Sequence, residues 1–393
     1  MNYDRYLNKR IASVPPSGIR RFFDLAASRK DAISLGVGEP DFKTPYPIRN
    51  AAINSLIDGE TQYTANRGLL ELRQEISFYL NSRYHVSYQP DDEILVTIGA
   101  SEAIDLALRA LISDGDEVLV PDPSYVSYAP GVVFAGGLPV PVETKQEDAF
   151  RLRADILEKA ITPRSKLLIL PYPNNPTGAI MDKEDLESIA EVIARHDLLV
   201  ISDEIYSELV YDGHTHVSFA SIQNMYERTI TINGFSKAFA MTGWRVGYAC
   251  GAKSIISVMN KIHQYAIMCA PRQGQVAAIS ALRLGRESEY ESILAMRDSY
   301  DRRRRLMVNA FQEMGLDCFE PYGAFYVFPS VRRTGMNSEE FCSMLLQEKD
   351  VAAVPGNAFG MSGEGYIRCC YATAIDKINI ALDRIADFVS SHS

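Results

Sequence analysis

Lys237 closes the block Gly234-Phe-Ser-Lys237, and Met241-Thr-Gly-Trp-Arg245-Val-Gly-Tyr248 follows it. A lysine amine can form an imine with a carbonyl and, once displaced, move a proton. Asp203 and Tyr206 stand in Ser202-Asp-Glu-Ile-Tyr206, and Asn175 in Pro173-Asn-Asn-Pro-Thr-Gly178. A carboxylate at a buried strand end needs a cationic partner, since an isolated buried charge is costly. Gly99-Ala-Ser101 opens a helical pattern whose free N–H groups and dipole suit a phosphate. Each block also has a purely structural reading. Ser101 serves as an N-cap, 173–178 as a turn, and the tyrosines as core aromatics.

The elements that must carry these blocks share one property. From about residue 93 to 250, short apolar runs rich in β-branched residues alternate with helical patterns, the form of a mostly parallel sheet with helices on both faces. Strands are predicted at Glu93–Ile98, Glu117–Val120, Lys166–Leu170, Leu198–Ser202, Thr229–Asn233 and Val246–Cys250. Helices are predicted over Ser101–Leu111 and on the face marked by Leu186, Ile189 and Ile193, ending before His196-Asp197. In open α/β sheets ligands bind beyond the carboxyl ends of the strands, and there every block above falls. After about residue 285 the pattern changes to long helices, a strand at Ala324–Phe328, a helix at Ser338–Gln347, short strands near Val351 and Tyr366, and a terminal helix from about Ala374. The expected fold class is therefore α/β: an N-terminal arm over 1–44 that joins the small domain, a large domain over 45–285, and a smaller α+β domain over 286–393.

Together the blocks answer the needs of one cofactor, pyridoxal 5'-phosphate (PLP). It requires an amine for its imine, an anion near its pyridine nitrogen, donors to its ring oxygen, and cations and N–H groups around its phosphate. Lys237 supplies the amine and Asp203 the anion that keeps the ring protonated and electron-accepting. Asn175 and Tyr206 supply the ring-oxygen contacts. The Ala100 N–H, Ser101, Ser236 and Arg245 supply the phosphate site.

Asn175-Pro-Thr-Gly, Ser202-Asp-Glu-Ile-Tyr206 and Ser236-Lys-Ala-Phe-Ala-Met-Thr-Gly-Trp-Arg245 resemble the signature blocks of the class I aminotransferases of PLP fold type I. The likeness runs from Gly36-Val-Gly-Glu-Pro-Asp-Phe42 to Gly365-Tyr-Ile-Arg368. It implies that Lys237, Asp203 and Tyr206 are the catalytic set, and that Arg368 clamps the substrate α-carboxylate with help from Asn175 and the Gly38 backbone. It also implies that Tyr125 stacks on the ring. Tyr63, in Tyr63-Thr-Ala-Asn-Arg-Gly68, would reach the phosphate of a neighbouring subunit, hence a homodimer with shared sites. One departure is Gly234, where some relatives have serine or threonine. The block Ile19-Arg-Arg-Phe-Phe-Asp24 is similar to the branch holding aspartate and aromatic aminotransferases, so an amino acid and a 2-oxo acid such as 2-oxoglutarate are the implied substrates. A PLP lyase cutting at Cβ is the alternative on the same fold.

The wider composition agrees. The 393 residues exceed one hydrophobic core, and 47% apolar with 23% charged residues is an ordinary globular balance. A formal charge of −10 argues against nucleic-acid partners. The run Arg302 to Arg305, with Leu306, Ala310, Phe311 and Met314 behind it, reads as the solvated face of an amphipathic helix. None of the six cysteines stands at metal-ligand spacing, so no metal is expected and all are read as buried free thiols. No signal-peptide core or long apolar stretch occurs, which predicts a cytoplasmic protein without membrane contact. No helix-turn-helix segment is found before residue 40 and no nucleotide-binding glycine motif, which sets aside a DNA-binding regulator or a nucleotide-binding protein.

Overall fold

The computed structural model describes residues 1, 3–16, 18–19, 29 and 31–392. Arg20 to Asp24 of the block that begins at Ile19 lie outside the described residues. The strands, in chain order, are β1 (Ile33–Ser34), β2 (Ile94–Thr97), β3 (Glu117–Asp122), β4 (Leu138–Glu143), β5 (Ser165–Leu170), β6 (Leu199–Asp203), β7 (Thr229–Gly234) and β8 (Gly247–Cys250). After them come β9 (Tyr326–Val327), β10 (Val351–Ala352), β11 (Val354–Pro355) and β12 (Ile367–Cys370).

A seven-stranded sheet in the order β2-β8-β7-β6-β5-β3-β4 forms the centre of the large domain. Only β8 runs against the rest. Its reversal matters for the site: Gly247 at the start of β8 pairs with Thr97 at the end of β2 and with Gly234 at the end of β7. The residues just before β8 therefore reach the edge where the parallel strands end. The fully buried runs of β2, β7 and β8 are what a sheet covered on both faces requires.

Strand β4 escaped the sequence reading, because Leu138-Pro-Val-Pro-Val-Glu143 carries two prolines. A proline cannot donate to a ladder, so it is confined to sheet edges. Here β4 is the edge, pairing in parallel with β3 alone. Its Leu138 N–H points inward, to the carbonyl of Asp116. By the alternation of a strand, positions 139 and 141 turn their nitrogens to the open side, where no partner is lost.

The helices fall where periodicity places them. Gly99–Leu111 follows β2, and Lys183–Arg195 is closed by a capping box between Asp182 and Asp185. Leu186, Ile189 and Ile193 are all buried, each stabilising by roughly 1.5–3 kcal/mol. The small domain stacks β11-β12-β9 against the helices Glu291–Glu313, Ser338–Lys349 and Ile375–Ser391, and β1 pairs in parallel with β10.

Two expectations are corrected. Of the run Arg302 to Arg305, only Arg302 and Arg305 face solvent. Arg303 donates to Asp41 at 2.8 Å and to the carbonyl of Thr373 at 2.8 Å. Arg304 is wholly buried and meets Asp301 at 2.8 Å, Glu320 at 3.0 Å, and Asp212. The buried stripe is Tyr300, Arg303, Arg304, Met307, Val308 and Phe311, while Leu306, Ala310 and Met314 are half-buried. Long arginine stems fill the helix face, and Asp301 of the same helix with acids from other elements satisfies their heads. The second correction is Cys269, which is half-buried rather than buried; all six thiols are free.

Candidate active site

The carboxyl ends of β2, β5, β6 and β7 converge on a cavity of about 690 Å³, and residues 36–39 and the small domain complete it. Gly38, Ala100, Ser101, Tyr125, Asn175, Asp203, Tyr206, Ser236, Lys237, Arg245 and Arg368 all line it. Tyr63 does not; it is 78% exposed.

Asp203 ends β6, and its side chain is buried. Tyr128 donates its hydroxyl to one carboxylate oxygen at 2.7 Å, and the Ile205 N–H reaches the other at 3.2 Å. It forms no ion pair with any described residue, and burial pushes its carboxyl up to about 6. The neighbouring Glu204 points the opposite way and is saturated by Ser202, Ser218, the Phe219 N–H and His216.

Lys237 follows β7 and donates to the carbonyl of Gly38 at 2.6 Å. The rings of Tyr206 and Phe325 flank its ammonium, at 5.7 and 5.4 Å from their centres. Burial lowers its pKa to about 8, so near neutrality a usable fraction is the free amine.

Arg368, on β12, is buried at 3% exposure without a carboxylate partner among the described residues. It donates to Asn175 Oδ1 at 2.9 Å and to the Gly36 carbonyl at 2.5 Å, over the faces of Tyr326 and Phe359. Its Nε is buried with no partner. A guanidinium so placed has donors left for an incoming carboxylate.

The helix Gly99–Leu111 opens at this cavity, with Ala100 and Ser101 in its first turn. Gly99 has φ +73°, and a Cβ there would lie 2.6 Å from Arg245, which comes in just before β8. Glycine is thus what lets the guanidinium lie across the helix start. Gly234, the departure noted in the sequence, has a similar cause. A Cβ there would stand 2.9 Å from Gly247 Cα and 3.0 Å from the Val246 carbonyl, so serine or threonine has no room.

The comparisons agree with this geometry. The family model described as aminotransferase class I and II matches residues 30–385. The chain belongs to that family. It is 50% identical to the putative aminotransferase YugH of Bacillus subtilis, covering 98% of each chain. It is 48% identical to an aspartate aminotransferase of Pyrococcus abyssi, over 96% of this chain and 97% of the relative. Among solved structures it superposes on an aromatic aminotransferase from Pyrococcus horikoshii with a TM-score of 0.90 at 46% identity, covering 94% of this chain and 99% of that one. The aminotransferase has the α/β architecture of PLP fold type I, and the enzyme transfers amino groups.

Two residues that touch this site were not foreseen. Tyr128 lies three residues after Tyr125 and closes the turn that leads into the helix Tyr128–Ala135, its N–H reaching the Tyr125 carbonyl at 3.2 Å; the spacing in Pro123-Ser-Tyr125-Val-Ser-Tyr128 was the available signal. Tyr326, in β9, pairs its hydroxyl with that of Tyr206 at 2.8 Å and lies beneath Arg368. Nothing in its local sequence distinguishes it from the core aromatics Phe325 and Phe328.

Proposed function

We propose that this cavity holds PLP and that the enzyme moves the amino group of an aspartate-type or aromatic L-amino acid to a 2-oxo acid such as 2-oxoglutarate. The observation that carries the proposal is that one cavity contains a carboxylate, an amine and a guanidinium, all buried or nearly so, and none paired with an opposite charge among the described residues. The residues fit the cofactor. Asp203 would meet the pyridine nitrogen, Asn175 and Tyr206 the ring oxygen, and Tyr125 the ring face. The Ala100 N–H, Ser101, Ser236 and Arg245 would meet the phosphate. When bound, PLP supplies the electron sink that makes a Cα proton acidic.

The chain's own groups do the rest. Lys237 supplies the amine that holds the cofactor, and when displaced it is the base that moves the Cα proton. Asp203, buried and held in place by Tyr128, would pair with the ring nitrogen. Arg368 orients the substrate carboxylate, with Asn175 and the Gly36 carbonyl fixing the guanidinium; the Gly38 carbonyl instead accepts from Lys237.

The reading includes a homodimer. Supporting it, Tyr63, Ile57, Tyr265, Ile267 and Met268 are all exposed, and Asn66 ties the Tyr63 loop to the Met268 carbonyl at 2.8 Å. Large exposed apolar side chains of this kind are what a partner subunit covers. The division at 44/45 and 285/286 is part of the reading as well, supported by the pairing of β1 with β10. So is a cytoplasmic location, to which six free thiols are suited. Among the described residues no helix is long and apolar enough to cross a membrane.

The test is spectroscopic. The purified protein should be yellow, lose its visible band on addition of aspartate or an aromatic amino acid, and regain it with 2-oxoglutarate. A protein that binds no added PLP overturns the reading. Pyruvate and ammonia released without an acceptor would mark the lyase instead.

A further inference from the structure

Tyr206 and Tyr326 come from opposite sides of the domain seam, β9 carrying the second, and their hydroxyl oxygens are 2.8 Å apart. Both are buried, and burial pushes both phenols up, so each keeps its proton at working pH. Two neutral phenols hold two protons, and a single hydrogen bond between them uses one. The other is free for a third oxygen. On the PLP reading the single Tyr206 proton goes to the ring oxygen, which leaves Tyr326 as the donor between the two hydroxyls. The Arg368 guanidinium lies 4.5 Å from the centre of the Tyr326 ring and favours negative charge on that phenol, which strengthens it as a donor. Cys370, Tyr206 and Tyr125 are the other titratable groups acting on it. Residue 38 is a glycine whose missing Cβ would collide with the Tyr326 hydroxyl, so the backbone of the 36–39 segment holds that oxygen close to Tyr206.

We infer that Tyr326 is a positioning residue that acts on the cofactor through Tyr206: it donates to the Tyr206 oxygen, which commits the Tyr206 proton to the ring oxygen. The inference rests on the PLP reading of the cavity. No proton leaves either phenol; the relay orients and polarises a donor. Because Arg368 lies on the Tyr326 ring, the carboxylate clamp and the ring-oxygen contact share one side chain.

The experiment is a pH titration of the visible absorbance of the holoenzyme. Donation to the ring oxygen favours the form in which that oxygen carries more negative charge, so its loss should raise the midpoint. Tyr206→Phe should move it most, and Tyr326→Phe should move it upward by about 0.3–1 unit. In the Tyr206→Phe background the second change should add nothing, the signature of two residues acting through one contact. Tyr326→His, whose ring N–H can donate in the hydroxyl's place, should bring the midpoint part of the way back and serves if the Phe variant does not fold. A merely structural Tyr326 would alter stability or turnover with the midpoint unchanged. An unchanged midpoint in both Tyr326 variants, or an equal shift with and without the Tyr206 hydroxyl, overturns the inference. A wild-type protein with no visible band, even after added PLP, overturns the PLP reading and this inference with it; a wild-type band with no Tyr326 effect removes this inference alone.

Discussion

Two buried arginines in the same protein are treated in opposite ways. Arg304, on the buried face of the long helix Glu291–Glu313, is surrounded by Asp212, Asp301 and Glu320. Arg368, in the cavity, has a carboxamide, a carbonyl and two aromatic faces but no acid among the described residues, and its Nε has no partner. The same contrast separates Glu204, with four donors, from Asp203, with two. Charges that only hold the fold together are paired inside the chain. Charges left short of partners wait for groups the chain does not contain.

Changing the cavity should therefore cost function and changing the Arg304 cluster should cost stability. The largest effect is expected from Lys237→Ala, which should still bind PLP but turn over ~10²–10⁴-fold more slowly, as for a lost general base. Steady-state rates with matched cofactor content measure it, and activity within tenfold of wild type would mean another lysine does the work. Arg304→Leu takes a wholly buried guanidinium away from Asp212, Asp301 and Glu320, which keep access to water, and should cost up to about 3 kcal/mol of stability. Denaturant unfolding reads this, while the visible spectrum of the folded holoenzyme should not change. A spectral change with intact stability would reverse the comparison.

Asp203→Asn sharpens the contrast further, because its two effects have opposite signs. In the cofactor-free protein burial raises this carboxyl from 3.8 to about 6. Between those values the folded state holds a proton that the unfolded chain has released, so stability falls as pH rises through the window. Above pH 6 the loss is complete, about 3 kcal/mol at 1.36 kcal/mol per unit. The cofactor-free Asn variant should thus be the more stable protein at pH 7, with the advantage gone below about pH 4. Loaded with PLP, the same variant should turn over much more slowly. Unfolding curves at the two pH values and a rate assay test both halves.

The smallest effect belongs to Tyr63, outside the cavity of its own chain. Tyr63→Phe should weaken PLP retention by about 1.5–3 kcal/mol, the value of a hydrogen bond to a charged group. A more severe Tyr63 variant refolded with Lys237→Ala chains should recover up to about a quarter of wild-type activity per subunit, through hybrid dimers with one intact site. No recovery in hybrids verified by mass would put Tyr63 outside any site.

Most of the cavity was legible in the sequence because its residues stand directly after strands. Leu170, Asp203 and Gly234 end their strands within two residues of the predicted positions, and the alternation of apolar runs and helices marks a mostly parallel sheet. What was not legible depends on partners distant in the chain. Arg303 and Arg304 look solvated until Asp41, Asp212 and Glu320 are folded onto them. Tyr326 acquires its place only when β9 brings it to Tyr206, 120 residues earlier. Strand β4 was hidden for a local reason, since its prolines break the composition of a strand while obeying the hydrogen-bonding rule of an edge.

Those two prolines have a consequence for how the protein behaves in a crowded solution. An open sheet edge is a template on which a foreign strand can add, and such growth leads to aggregation. Along β4 the positions that would offer amide hydrogens outward include Pro139 and Pro141, which have none. The opposite margin, β2, is shielded by the Arg67 backbone, whose carbonyl already accepts the Val96 N–H. Neither margin offers an uninterrupted ladder to an incoming strand, so growth by strand addition is blocked at both ends of the sheet.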